Sequence, residues 1–116
     1  MSRKLDAAIA EVLGYEVLNL RGNPYIANDS GYYGLDDLVP HYSTDGNAML
    51  ELIRCAQKED YCLMLEVYRK NTCTQFYKFV PGTGIVYYSG YCDEHPPKAV
   101  AKAFYQAKTG KGWRDD

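Results

Sequence analysis

The amino-acid sequence predicts an α+β fold: an antiparallel β-meander of three or four strands with helices packed on it. Three observations lead there. Apolar residues recur at helical spacing in residues 47–58, at Met49, Leu52, Ile53 and Ala56. Short runs between residues 61 and 91 read as successive strands rich in Tyr and Phe. Helical patterns lie before and after those runs.

Residues 2–13 carry Leu5, Ala8, Ile9, Val12 and Leu13 on one helical face, with Gly14 placed to end the helix. Residues 15–20 read as a short extended piece. Turn formers then dominate residues 21–42: Gly22, Asn23, Pro24, Asn28, Asp29, Ser30, Gly31, Gly34 and Pro40. So long a connection is unusual in a small domain. With few large apolar anchors, residues 21–40 are expected to be the most mobile internal segment. Ser43 or Asp45 can N-cap the helix of residues 47–58. The strand of residues 61–69 turns Leu63, Leu65 and Val67 to one face, where they are expected to meet that helix. Residues 74–80 and 85–91 form a hairpin closed by Pro81-Gly82-Thr83-Gly84. Pro97 suits the first turn of a last helix over residues 98–108, with Val100, Ala103, Phe104 and Ala107 as its buried stripe. Lys108 lies where a helix C-terminus favours a cation. Three strands make a thin sheet, so residues 16–20 or part of the long connection are expected to add another. The tail, 109–116, is expected to fray.

A chain of 116 residues, 47% hydrophobic and 24% charged, suffices for one core, hence a single domain over residues 1–116. No apolar run approaches the roughly 18 residues that span a bilayer. The opening residues lack a secretory apolar region. The expectation is therefore a cytoplasmic protein with no membrane partner. A net charge of −2 argues against bulk nucleic-acid binding. The charge is unevenly divided, with 10 acids and 5 bases in residues 1–60 but 5 acids and 8 bases in residues 61–116.

No cysteine pair has the Cys-x-x-Cys spacing of a zinc ribbon. Cys92-x-x-His95 with Cys73 could supply three ligands, but small buried thiols are the plainer reading, and no metal or cofactor is expected. A Cys73–Cys92 disulfide, feasible across the sheet, is not expected in a reducing cytosol. His41 lies beside Ser43, yet Ser43 is better explained as a helix cap than as a nucleophile. The acid pairs Asp36-Asp37 and Asp93-Glu94 read as solvated loop charges. Gly82-Thr83-Gly84 lacks the Lys-Ser/Thr of a phosphate loop. No catalytic residue is assigned. The 12 tyrosines are the outstanding feature. Alternation places Tyr77, Phe79, Tyr87 and Tyr91 on one sheet face, with Phe76 and Tyr88 on the other. Such a face is either ordinary half-exposed sheet or an aromatic platform that stacks a base or docks a partner. Lys78, Arg69 and Lys70 are close enough in sequence to add phosphate contacts.

Leu5-Asp6-Ala7 at the start of a short helix, Val39-Pro40-His41-Tyr42-Ser43-Thr44-Asp45 before an amphipathic one, aromatic strands, and an alanine-rich last helix together resemble the phage ABA sandwich domain family. The resemblance implies a small α-β-α layered domain of phage or prophage origin, without enzymatic activity and without catalytic residues to carry over. The tyrosine and cysteine content and the Cys92-Asp93-Glu94-His95 stretch depart from that family. The expected function is a non-enzymatic binding protein that sequesters a phosphate-bearing, nucleotide-like small molecule. Its ligand-binding residues would be Tyr77, Tyr87, Tyr91 and Lys78, with His41 and Tyr42 reaching in. The alternative is an interaction module that forms a homo-oligomer or docks on a host protein through an aromatic surface.

Overall fold

The computed structural model describes residues 3–114, which form three α-helices, five strands and one 3₁₀ turn. Helix α1 (Lys4–Val12) buries Leu5, Ile9 and Ala10 and gives way to Gly14, whose φ of +98° suits glycine alone. Strands β1 (Val17–Leu20) and β2 (Asn23–Ile26) follow. Helix α2 (Gly46–Lys58) starts at Asp45, whose carboxylate accepts the Asn47 amide at 3.2 Å, so Asp45 and not Ser43 is the cap. The main sheet consists of β3 (Cys62–Val67), β4 (Thr72–Val80) and β5 (Gly84–Asp93), antiparallel in the order β3-β4-β5. Helix α3 (Pro96–Thr109) begins with two prolines and ends at Gly110.

The α+β class holds, with helices packed on an antiparallel sheet. Residues 16–20 and part of the connection do become strands, but they pair with each other and add nothing to the main sheet. Arg21 and Gly22 both have positive φ, +55° and +81°, which makes the tight turn that folds β2 back on β1.

The order of layers differs from the α-β-α arrangement that the family resemblance implies. All of residues 99–104 are buried, far more than the expected stripe. A helix buried all round lies between two layers. The sheet covers one side of α3, where Thr74 Oγ1 donates to the Ala99 carbonyl at 3.0 Å and Phe76 meets Phe104 edge-on. Helices α1 and α2 cover the other. Ala99, Ala101 and Ala103 let these neighbours approach closely. The sheet is thus an outer layer, and its far face carries no helix among the described residues.

Leu52, Ala56 and Ala48 of α2 are buried, whereas Met49 and Ile53 are only half-buried. Leu65 and Val67 do not join the core as expected, being 46% and 73% exposed. The reason is lateral: α3 lies over β4 and β5, and α2 reaches only the start of β3.

Residues 21–40 are packed at both ends. The Ala27 amide donates to the Glu16 carbonyl at 2.8 Å and the Val39 amide to the Pro24 carbonyl at 3.0 Å, and Val39 is fully buried. Between them the Asn28 side chain accepts the Ser30 and Gly31 amides and donates to Asp37. The tail is ordered further than expected. The Trp113 amide donates to the Tyr91 hydroxyl at 2.7 Å, and the Trp113 ring stands edge-on to Tyr105 at 5.1 Å. A Cβ at Gly112 would meet that hydroxyl at 2.8 Å, so glycine allows the crossing. Residues 115 and 116 lie outside the described residues.

Candidate functional site

The six expected ligand residues are not brought together. A bulge where β4 passes from Phe76 to Tyr77 sets Phe76 opposite Ser89 and Tyr77 opposite Tyr87, leaving Tyr88 as the extra residue. It inverts the alternation along β5. Tyr77 and Tyr87 face outward with Phe79, while Tyr91, opposite buried Thr74, faces the helices and is engaged by the tail. Lys78 also lies on the helix-covered side, its ammonium 4.3 Å from the Tyr61 ring centroid and 5.8 Å from that of Tyr88. Arg69 and Lys70 sit in the β3–β4 turn, at the other end of the sheet from Tyr77. Tyr42 is buried in the helical layer, with Asp6, Tyr15, Glu51 and Cys55 around it, and its hydroxyl pKa is pushed up to about 12, chiefly by burial. His41 is exposed beside it.

The outward face is built in cross-strand rows. Phe79 pairs with Ile85, Tyr77 with Cys62 and Tyr87, and Gln75 with Met64 and Gly90. The Tyr77 ring lies 5.7 Å from both Phe79 and Tyr87. Phe79 is 66% exposed, Tyr87 53% and Ile85 49%. These rows carry no charged side chain. The next row holds Glu66 beside Cys73 and Cys92, which are joined in a disulfide with Cα atoms 4.0 Å apart. That bond, not expected from sequence, follows from register: β4 and β5 set the two cysteines directly opposite each other.

On the helix side, under the uncovered flank of β3, lies a cleft of about 450 Å³. Ile53, Leu63 and Phe76 form its apolar lining, Gln57, Asp60 and Tyr61 are its polar groups, and the start of β3 at Cys62 borders it. Tyr61 links this cleft to Lys78. Tyr61 and Tyr88 were missed as site residues, because their edge-on contact, 5.5 Å between centroids, is tertiary and leaves no local signal.

Elsewhere polar groups serve the fold. The Asp6 carboxylate, 2% exposed, accepts the Ser43 amide at 2.8 Å and pairs with Arg3, which also donates to the Val39 carbonyl. Burial alone would raise the Asp93 pKa, but the His95 amide and the Lys102 ammonium outweigh it and hold it below the usual value. Among the described residues no three His, Cys, Asp or Glu side chains group as metal ligands, and no helix is long and apolar enough to cross a membrane.

Comparison with known proteins gives no relative from which to transfer a role: no protein-family model, curated protein or solved structure matches the chain.

Proposed function

We propose that this chain is a non-enzymatic protein-interaction module. It uses the bare face of its three-stranded sheet to dock on a partner polypeptide whose contact surface is apolar and uncharged. The observation that carries this is the outward cluster of half-buried Tyr77 with exposed Phe79, Ile85 and Tyr87, joined by ring and cross-strand contacts and free of charge. Phe79, Ile85 and Tyr87 alone expose roughly 300 Å² of side chain, the size at which a patch on a monomer tends to be functional. A phosphate-bearing ligand would need a cation on this face, and Lys78 points away from it. A second reading, sequestration of a nucleotide-like molecule in the cleft, is favoured by one observation: Lys78 stands over Tyr61 at the cleft wall.

The proposal retains the affiliation with the phage ABA sandwich domains. The Asp6–Ser43 hydrogen bond supports it by giving the two segments that carry the resemblance a common structural reason. It also retains a cytoplasmic setting, in which Cys73 and Cys92 would be held as a dithiol and would close on oxidation.

The test places a photo-crosslinking residue at Phe79, with one at Lys111 as control, in the producing cell. Polypeptide adducts from position 79 that Tyr87→Lys abolishes are expected, and no nucleotide should raise the melting temperature at millimolar concentration. Absence of adducts, or a nucleotide-dependent rise in melting temperature, would overturn the module.

A further inference from the structure

The open edge of β3 has features that a docking face alone does not require. The Tyr68 amide donates to the Asn71 carbonyl at 2.7 Å, which sets the alternation of the β3–β4 ladder. Residues 62, 64 and 66 therefore direct their amides and carbonyls to β4. Leu63, Leu65 and Val67 present theirs to the free edge, and no strand among the described residues pairs there. The two edges of the sheet are treated differently. On β5 the bulge distorts the ladder, and the Gly90 amide is taken by the Gln106 side chain at 3.0 Å. On β3 there is no bulge and no proline, and Leu65 and Val67 stand exposed beside the edge. A regular, apolar, unpaired edge is a template for another strand.

We propose that this edge pairs with the same edge of a second copy of the chain, antiparallel about a two-fold axis at Leu65, to form a continuous six-stranded sheet. The inference rests on reading the sheet as the docking element. Parity restricts the register, because residues facing each other across the dyad must lie on the same side of the sheet. Centring on Leu65 sets Leu63 against Val67 of the other copy and Leu65 against itself, an apolar row on the helix side. It sets Met64 against Glu66 on the outer side. Centring on Glu66 would oppose two carboxylates, which is unfavourable. The charges flanking the strand single out a second copy as the occupant. Glu59 and Asp60 precede β3, and Arg69 and Lys70 follow it. Antiparallel self-pairing centred on Leu65 brings Asp60 of each copy towards Lys70 of the other, twice by symmetry. Val67, which no helix of its own chain covers, would then lie beside Leu63 at the lip of the other copy's cleft. A C₂ contact of this kind is isologous, so one strand meets both demands.

Sedimentation velocity of the full chain over a wide concentration range tests this. Wild type should approach twice the 13.2 kDa chain mass. Leu65→Lys places two cations across the dyad, and should weaken association at least about tenfold while circular dichroism shows the fold retained. Asp60→Lys and Lys70→Asp should each weaken it too, and an equimolar mixture of those two chains should restore it, since every flank is then opposed by its opposite. A monomer at about 1 mM would overturn the edge pairing, and would leave the adducts at position 79 as the separate test of the sheet face. A dimer indifferent to Leu65→Lys but lost with Phe79→Lys would place self-association on the outer face and overturn the edge pairing. Failure of the mixture to recover would overturn the Leu65 register.

Discussion

Asp6 ties the first helix to the start of the second. Its carboxylate is buried and accepts the Ser43 amide, while Arg3 neutralises it and reaches on to the Val39 carbonyl. Replacing it removes a charge-assisted bond and strands a buried amide. Asp6→Ala should therefore cost about 2–4 kcal/mol, measured by urea unfolding at pH 7. Nothing in the local sequence marks Asp6 as special; the partner lies 37 residues away. Tyr42 makes a second prediction. Its hydroxyl is raised to about 12, mainly by burial, so the folded state favours the neutral phenol. That contribution is complete below the ordinary tyrosine value near 10 and is lost as pH rises through the folded value. Stability should fall between about pH 10 and 12, and Tyr42→Phe should flatten that limb. An unchanged alkaline limb in the variant would show that Tyr42 is not the group responsible.

At the scale of elements, periodicity made the helices and the meander legible, because each buries a recognisable face. It did not reveal how many sides of α3 are covered. Ala99, Ala101 and Ala103 look equally at home in water or in a core, so nothing in composition separates a surface helix from this central one. The consequence is measurable. Ala101→Leu inserts volume where both sides are occupied and should destabilise by about 1–3 kcal/mol, despite the better packing potential of leucine. Were α3 a surface helix, the change would be nearly neutral. The candidate site was misread for a related reason. Alternation is a reliable guide only while a strand stays in register, and one extra residue at Tyr88 moves Tyr91 to the opposite face from Tyr87. Lys78 followed the simple rule, being adjacent to Tyr77 and hence on the other side. The pairing that matters for Tyr61 is a tertiary contact with no local signal.

For the whole molecule, the sheet is the layer whose stability is least shared. It is covered on one face, and its outer face is crossed by the Cys73–Cys92 disulfide, which spans 19 residues. Closing a loop of about that length stabilises a fold by roughly 2–4 kcal/mol through the unfolded chain. Denaturant midpoints with and without dithiothreitol should differ accordingly, with a larger effect on hydrogen exchange in β5 than in α1. Equal midpoints would show that the two thiols are not paired in solution. Cations of residues 61–116 are also tied into the layers. Lys102 and Lys108 are spent on Asp93 and Glu59, inside and across the layers.

The position of α3 also bears on the order in which the protein can be completed during synthesis. Chains emerge from the ribosome N-terminal end first and tend to fold by units. Here the helix that lies between the layers follows every strand and helix it separates. Until it emerges, the meander and the helices α1 and α2 have finished backbones but no common interior. A nascent chain arrested before Pro96 would expose both unmatched apolar faces, and would depend on chaperones or self-association through exactly the surfaces that α3 later claims.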